Sequence, residues 1–313
     1  MNIAVITPVK HLPGVCELLE SKGNVFYLEK GNKQEVRQLL LEKSIDVIFC
    51  NPNEQSYKID KELLENTQVK IVNSASTGLN HIDQEYCFNN DIAIQCHKND
   101  YELINELPST SELALGLMMS LLRNIPESVN HTKEYGWDYT KFVGRQVKGL
   151  NIGIVGFGRL GEMFAKFVHG LGAFVYIYDP YKPLENRPKS WYKVDSLEDI
   201  FNNCDVVSLH VHVTEETKYM VNKKILGLSK KKPYIINTSR GEIVEELDII
   251  SALKDGIISG YGTDVIEDEF GDIKTSPIIK GMNEGLNILV TPHTGGMTIE
   301  GSTKAYKWSI NKL

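Results

Sequence analysis

Arg240, Glu269 and His293 are the residue types that could together hold a carboxylate and move a proton. A guanidinium offers a planar fork that matches a carboxylate. An imidazole transfers protons near neutral pH. A carboxylate on the far side of that imidazole fixes its tautomer and favours the protonated ring. Taken singly, each has an ordinary structural reading: a surface ion pair for Arg240, a solvated acidic loop for Glu269 within Glu267-Asp268-Glu269, and a turn residue for His293 after Pro292.

A second group points to an anion. Gly156-Phe157-Gly158-Arg159-Leu160-Gly161 follows an apolar strand pattern and opens a helix pattern that ends at Gly172. Gly156 permits a tight turn, Gly158 lets the backbone approach a pyrophosphate, and Gly161 lets the helix pack close on the strand. Exposed N–H groups at the helix start would hold the anion. A second strand pattern then runs to Asp179, 23 residues beyond Gly156. This acid could bond both ribose hydroxyls and would repel a 2′-phosphate, which favours NAD over NADP. Beside a nicotinamide, the trio suits hydride transfer at an oxygen-bearing carbon. His293 would move the hydroxyl proton and Arg240 would hold a substrate carboxylate.

These residues need elements to place them. The first hundred residues alternate strand patterns (3–7, 25–28, 46–50, 69–73, 92–95) with helix patterns (12–21, 34–43, 61–66), a rhythm that implies a parallel sheet with helices on both faces. Ser109-Thr110-Ser111-Glu112 has capping-box spacing and predicts a long helix from about Thr110. Its run 113–122 is more apolar than one buried face requires, which suggests burial against a second domain or subunit, or else the centre of one large core. A second series of strands is expected at 151–155, 173–178, 205–210, 233–238, 258–264 and 287–291. Arg240, Glu269 and His293 all follow such strands. Ligand sites in open parallel sheets lie beyond the carboxyl ends of the strands, so the three could share one crevice.

Composition agrees. At 313 residues the chain has room for two domains, and 42% hydrophobic with 24% charged residues excludes fibrous and largely disordered classes. No apolar stretch reaches the roughly 18 residues of a membrane helix, and the start lacks the basic region of a signal peptide. A net charge of −7 without a basic run argues against nucleic acid as partner. Cys16, Cys50, Cys87, Cys96 and Cys204 are scattered and odd in number, so neither a disulfide framework nor a metal site is indicated. A soluble protein of a reducing, cytoplasmic compartment is expected.

At this point the chain resembles, over nearly its whole length, the D-isomer-specific 2-hydroxyacid dehydrogenases. The resemblance rests on Ser76-Thr77-Gly78-Leu79-Asn80-His81-Ile82-Asp83, on Trp137 through Gly161, on Ser208-Leu209-His210-Val211, on Asn237 through Gly241 and on Thr291-Pro292-His293-Thr294-Gly295-Gly296. It implies two doubly wound parallel-sheet α/β domains. These are a flavodoxin-like substrate domain (1–100 and 291–313) and a Rossmann NAD-binding domain (101–290), with a cleft between them. It implies that Arg240 binds the substrate carboxylate, that Glu269 orients His293, and that His293 is the proton donor and acceptor. Ser76, Thr77 and Gly78 form the substrate loop, with the N–H groups of Thr77 and Gly78 on the carboxylate. Thr110, Gly156, Gly158, Arg159, Leu160, Gly161, Asp179, His210, Val211, Thr238, Ser239, Asp264, His293, Gly295 and Gly296 would line the NAD site. It also implies a homodimer in which the helix after the first crossover wraps a partner subunit, which suits the apolar run 113–122.

Some positions depart from the family pattern. His212 stands where members commonly have proline, and Phe270 replaces a proline common after the catalytic glutamate. Cys50-Asn51-Pro52-Asn53-Glu54 lacks the paired arginines that phosphoglycerate dehydrogenases often place there, which counts against a phosphorylated substrate. Twenty residues follow His293, so an appended regulatory module is not expected. Two further readings compete. One is an NAD(H)-sensing corepressor-like binding protein, which would not need the trio. The other is a formate or phosphite dehydrogenase, the former opposed by Glu269 where formate enzymes carry glutamine.

Overall fold

A computed structural model describes residues 1–51, 57–183 and 187–313. Positions 52–54 of the segment lacking paired arginines therefore lie outside the described residues. The chain divides into two compact units, Met1–Leu107 with Gly296–Leu313, and Pro108–Gly295.

The first unit is built on five strands: β1 (Asn2–Val5), β2 (Asn24–Tyr27), β3 (Val47–Cys50), β4 (Ile71–Ser74) and β5 (Ala93–Gln95). Their order is β2-β1-β3-β4-β5 and every pair is parallel, the flavodoxin-like arrangement. Successive strand residues point to opposite faces, so this one sheet makes two cores. Ile3, Val5, Val47 and Phe49 pack with Val15, Leu19, Tyr306 and Ile310. Ala4, Ile48 and Cys50 pack with Val36, Leu40 and Leu63. The helix Ile299–Ile310 supplies Tyr306, whose ring meets Phe49 edge-on at 5.6 Å, and thereby ties the chain's end to its beginning.

The second unit holds seven strands: β6 (Asn151–Val155), β7 (Phe174–Tyr178), β8 (Trp191–Lys193), β9 (Val206–Leu209), β10 (Tyr234–Asn237), β11 (Gly260–Thr263) and β12 (Ile288–Val290). The order β12-β11-β10-β9-β6-β7-β8 is parallel throughout and contains the doubly wound nucleotide-binding pattern. Again two cores form. Ile152, Ile154, Val175, Val206 and Ile236 face one side; Val155, Val207, Leu209 and Ile235 face the other.

Four expectations need correction. The unit boundaries fall at Leu107/Pro108 and Gly295/Gly296 rather than at 100/101 and 290/291. The short helix Tyr101–Ile104 packs with Ile299–Ile310, while residues 291–295 are tied to Asp264 in the second unit. The helix Ser109–Leu122 begins as expected, but its capping box does not form. Pro108 occupies the N-cap and Ser111 Oγ donates to the Leu160 carbonyl at 2.9 Å. The apolar run 113–122 is consumed within its own unit: Ala114, Leu117, Met118, Leu121 and Leu122 are buried in the core beside β6, with Leu113, Leu115 and Met119 packed against it. At about 1.5–3 kcal/mol for each large side chain so buried, this helix is a core element of its own unit, while Leu113, Leu115 and Met119 stay only partly buried in the single chain. Finally, the strand β8 escaped the sequence reading, because three residues are too few to display a period. Among the described residues no helix is long and apolar enough to cross a membrane, and no cluster of three metal-ligating side chains occurs.

Candidate active site

The glycine turn sits where β6 ends. Gly156 has φ +88°, and its N–H donates to the Tyr178 carbonyl at 2.9 Å. A Cβ there would lie 2.8 Å from the His210 carbonyl oxygen, so the position needs both the conformation and the bareness of glycine. A Cβ on Gly161 would lie 2.1 Å from the Gly156 carbonyl oxygen, which is how the helix Arg159–Gly170 approaches the turn. At Gly158, the N-cap, a Cβ would meet nothing within 4 Å, and no side chain caps the helix. The first-turn N–H groups have no intrahelical acceptor, and the helix starts at a backbone that no side chain covers. This is the geometry a pyrophosphate requires.

Asp179 follows β7 and is held firmly. Its Oδ2 accepts the Phe157 N–H at 2.8 Å, and its Oδ1 accepts those of Tyr181 and Lys182 at 2.9 and 3.0 Å. Thr238 is buried after β10, and its hydroxyl has no hydrogen-bond partner among the described residues. An orphaned hydroxyl at a strand's carboxyl end is what a bound polar group would satisfy. Turn, acid and hydroxyl all fit a dinucleotide. His210 and Val211 border the turn from β9. Burial pushes the His210 imidazole down to about 3, so the ring is neutral, and its Nε2 pairs with Ser208 Oγ at 2.9 Å. Ser239 Oγ donates to the Leu209 carbonyl at 2.8 Å, which joins the ends of β9 and β10.

β10, β11 and β12 are consecutive neighbours, and Arg240, Glu269 and His293 follow their carboxyl ends in that order. Glu269 and His293 meet directly, Oε2 to Nδ1, at 2.7 Å. His293 has φ +52°, and its N–H donates to the Asp264 and Thr291 carbonyls, both at 2.9 Å. Arg240 is placed by Asn237, a buried amide whose Nδ2 donates to the Arg240 carbonyl at 2.9 Å. Its guanidinium Nη1 donates to the Ser239 carbonyl at 2.6 Å and not to Glu269. A Cβ on Gly241 would lie 2.2 Å from the Glu267 nitrogen, so the Arg240 turn abuts the segment that leads to Glu269.

Asp264 does more than its sequence position suggested. Its Oδ1 accepts Thr291 Oγ1 at 2.6 Å and the Thr294 N–H at 2.8 Å, and its Oδ2 accepts the Gly295 N–H at 2.8 Å. It is the clamp of the loop that carries His293. Burial raises its carboxyl despite these donors. A Cβ on Gly295 would touch Asp264 at 3.0 Å and Thr110 at 3.2 Å, so those three positions are adjacent.

Ser76, Thr77 and Gly78 follow β4 in the first unit. Thr77 is exposed, but the Ser76 hydroxyl turns inward and donates to the Gly78 carbonyl at 2.8 Å. Asn237, Ser74 and His81 went unassigned in the sequence reading. Their signal was a polar residue inside or next to an otherwise apolar, buried run.

Most of the second unit matches a known domain. Residues 115–295 fit the family model described as D-isomer specific 2-hydroxyacid dehydrogenase, NAD binding domain. A glyoxylate reductase of Thermococcus litoralis is 33% identical over 287 residues, which are 87% of this chain and 81% of that protein. A D-3-phosphoglycerate dehydrogenase of Methanocaldococcus jannaschii is 29% identical over 291 residues, 92% of this chain but 52% of that protein, so this chain spans little more than half of that relative. The apo structure of D-lactate dehydrogenase from Escherichia coli superposes with a TM-score of 0.83 at 21% identity, covering 99% of this chain and 95% of that one, a likeness of fold. With its NAD-binding domain matched and a relative aligned along most of both chains, the protein belongs to the D-isomer-specific 2-hydroxyacid dehydrogenase family.

Proposed function

We propose that the protein is an NAD-dependent oxidoreductase that interconverts a small D-2-hydroxy acid and its 2-oxo acid. The observation that carries this reading is the 2.7 Å contact between Glu269 and His293, at the strand ends of a nucleotide-binding sheet. When bound, the nicotinamide supplies or accepts the hydride. The protein's own residues do the rest. Gly156, Gly158 and Gly161 open the backbone to the pyrophosphate, and Asp179 takes the ribose. Thr110, Arg159, Leu160, His210, Val211, Thr238, Ser239, Asp264, Gly295 and Gly296 line the remainder. Arg240 binds and orients the carboxylate, with the N–H groups of Thr77 and Gly78. Glu269 accepts the Nδ1 proton of His293, which makes Nε2 the atom that moves the hydroxyl proton.

The relatives' names point to glyoxylate and hydroxypyruvate as candidate substrates, and the absence of arginine from Cys50-Asn51-Pro52-Asn53-Glu54 favours an unphosphorylated one. We also propose a homodimer. Its support is the exposed stretch Tyr135, Trp137, Tyr139 and Val143, which lies 79–99% open in the single chain. Five unpaired thiols suit a reducing, cytoplasmic compartment.

The test is NADH oxidation against glyoxylate, hydroxypyruvate, 3-phosphohydroxypyruvate, pyruvate and longer 2-oxo acids. Turnover is expected with at least one unphosphorylated acid. Tight NADH binding with no turnover across the panel would remove this reading.

A further inference from the structure

Beneath the loop Ser76–Thr77–Gly78 runs a chain of hydrogen bonds whose direction can be deduced. Ser76 Oγ lies 2.8 Å from the Gly78 carbonyl oxygen, Ser74 Oγ 2.8 Å from Ser76 Oγ, and His81 Nε2 3.1 Å from Ser74 Oγ. A carbonyl can only accept. The Ser76 proton therefore points at Gly78, Ser76 oxygen accepts from Ser74, and Ser74 oxygen accepts from His81. The imidazole must then carry its proton on Nε2.

Two independent features agree. His81 is fully buried, and its Nδ1 has no hydrogen-bond partner among the described residues, as a bare acceptor nitrogen would. Burial also pulls the imidazole down to about 4, so near neutral pH the ring is uncharged and owns a single N–H. The nearby Cys50 Sγ, 3.7 Å from Nε2, is itself buried and pushed up to about 12, so it remains a neutral thiol.

The ring closed by Ser76 Oγ and the Gly78 carbonyl encloses the peptide units that bear the Thr77 and Gly78 N–H groups. The loop's other side is pinned by the His97 N–H, which donates to the Ser76 carbonyl at 2.8 Å. We infer that His81 is a positioning residue: its Nε2–H, relayed through Ser74 and Ser76 to the Gly78 carbonyl, holds the Thr77 and Gly78 N–H groups in the orientation that receives the substrate carboxylate. The inference rests on the proposed 2-oxo acid chemistry for its catalytic consequence, but not for the relay itself.

Both parts are measurable. In the full chain, 15N chemical shifts of the His81 ring should report the Nε2–H tautomer from pH 5.5 to 8, and Ser76→Ala should speed amide exchange at Thr77 and Gly78. In steady-state assays Ser76→Ala and His81→Leu should each raise KM for the 2-oxo acid about tenfold, the worth of one hydrogen bond, with KM for NADH unchanged. His81→Gln, which keeps an N–H within reach of Ser74, should recover most of the loss. A merely structural histidine would lower thermal stability without splitting the two KM values. If His81→Leu does not fold, Ser76→Ala decides alone. An Nδ1–H tautomer, or a Ser76→Ala enzyme with wild-type KM for the acid, overturns the inference. Wild-type protein that turns over no 2-oxo acid, yet shows the Nε2–H tautomer and the faster exchange, removes the proposed function and leaves the relay standing.

Discussion

Glu269 Oε2 and His293 Nδ1 lie 2.7 Å apart although 24 residues separate them in the chain. Two side chains from the ends of adjacent strands have been brought into one pair, each about a quarter to a third exposed. The carboxylate decides which ring nitrogen holds the resident proton. Replacing Glu269 by Gln keeps the shape but removes the charge that stabilises a protonated ring during proton transfer. Glu269→Gln is expected to lower kcat about 10- to 100-fold, with a smaller change in KM for the 2-oxo acid. An unchanged kcat would dismiss Glu269 as the orienting acid.

His293→Ala removes the group proposed to move the proton. General acid–base catalysis is worth about 10²–10⁴-fold, so kcat should fall by that order. The glycine turn and Asp179 lie elsewhere on the sheet, at the ends of β6 and β7, so NADH titration by fluorescence should show that the cofactor still binds. Loss of both activity and NADH binding would place His293 in the fold's support instead.

Asp179 serves two masters. It is proposed to take the ribose, while its carboxylate accepts three backbone N–H bonds, from Phe157, Tyr181 and Lys182. Asp179→Ala should therefore relax preference for NAD over NADP and also lower Tm, since it orphans three donors at once. Asp179→Asn, which retains one acceptor oxygen, should lose less stability while still weakening discrimination against NADP. Kinetic constants for both cofactors, measured beside thermal melts, separate the effects. An Asp179→Ala enzyme that still rejects NADP would show that another group reads the ribose.

Much of this architecture could be read from the residues, and the failures have physical reasons. Short strands such as β3, and β6 from Ile152 onward, stood out because both of their faces are buried, which leaves little but apolar residues and glycine in each. The edge strand β8 did not, since only Trp191 of its three residues is buried. A capping box was expected at Ser109, where Pro108 pre-empted it, while the one that forms, Asn32 with Glu35, lacks the serine or threonine that draws the eye. Glu269 and His293 could be paired only through chemistry, because no local pattern links residues on neighbouring strands. The inward turn of the Ser76 hydroxyl and the Asp264 clamp were beyond reach for the same reason: each depends on where a carbonyl or an N–H of another segment ends up.

The exposed run Tyr135, Trp137, Tyr139 and Val143 bears on assembly. Large apolar side chains this open in a single chain favour burial by a partner. Sedimentation should find a dimer, and a Trp137→Lys, Tyr139→Lys double variant should shift it toward monomer. A wild-type monomer at micromolar concentration would end the homodimer proposal.

Acid should unfold the protein early, and His81 sets the sign. In the unfolded chain its imidazole takes a proton near pH 6.5; in the folded protein burial delays this to about 4. Between those values the unfolded state binds more protons, so stability rises with pH. The contribution is complete above about pH 6.5 and is lost progressively as pH falls toward 4, on the order of 3 kcal/mol for this one group. His210, buried and lowered to about 3, and His97, also lowered by burial, act in the same direction. The urea midpoint should therefore fall steeply from pH 7 to pH 4.5. In His81→Gln, which cannot take a proton, part of that slope should vanish. A midpoint that is flat over this range, or the same slope in wild type and His81→Gln, would mean that the buried imidazole protonates as readily in the folded protein as in the unfolded chain.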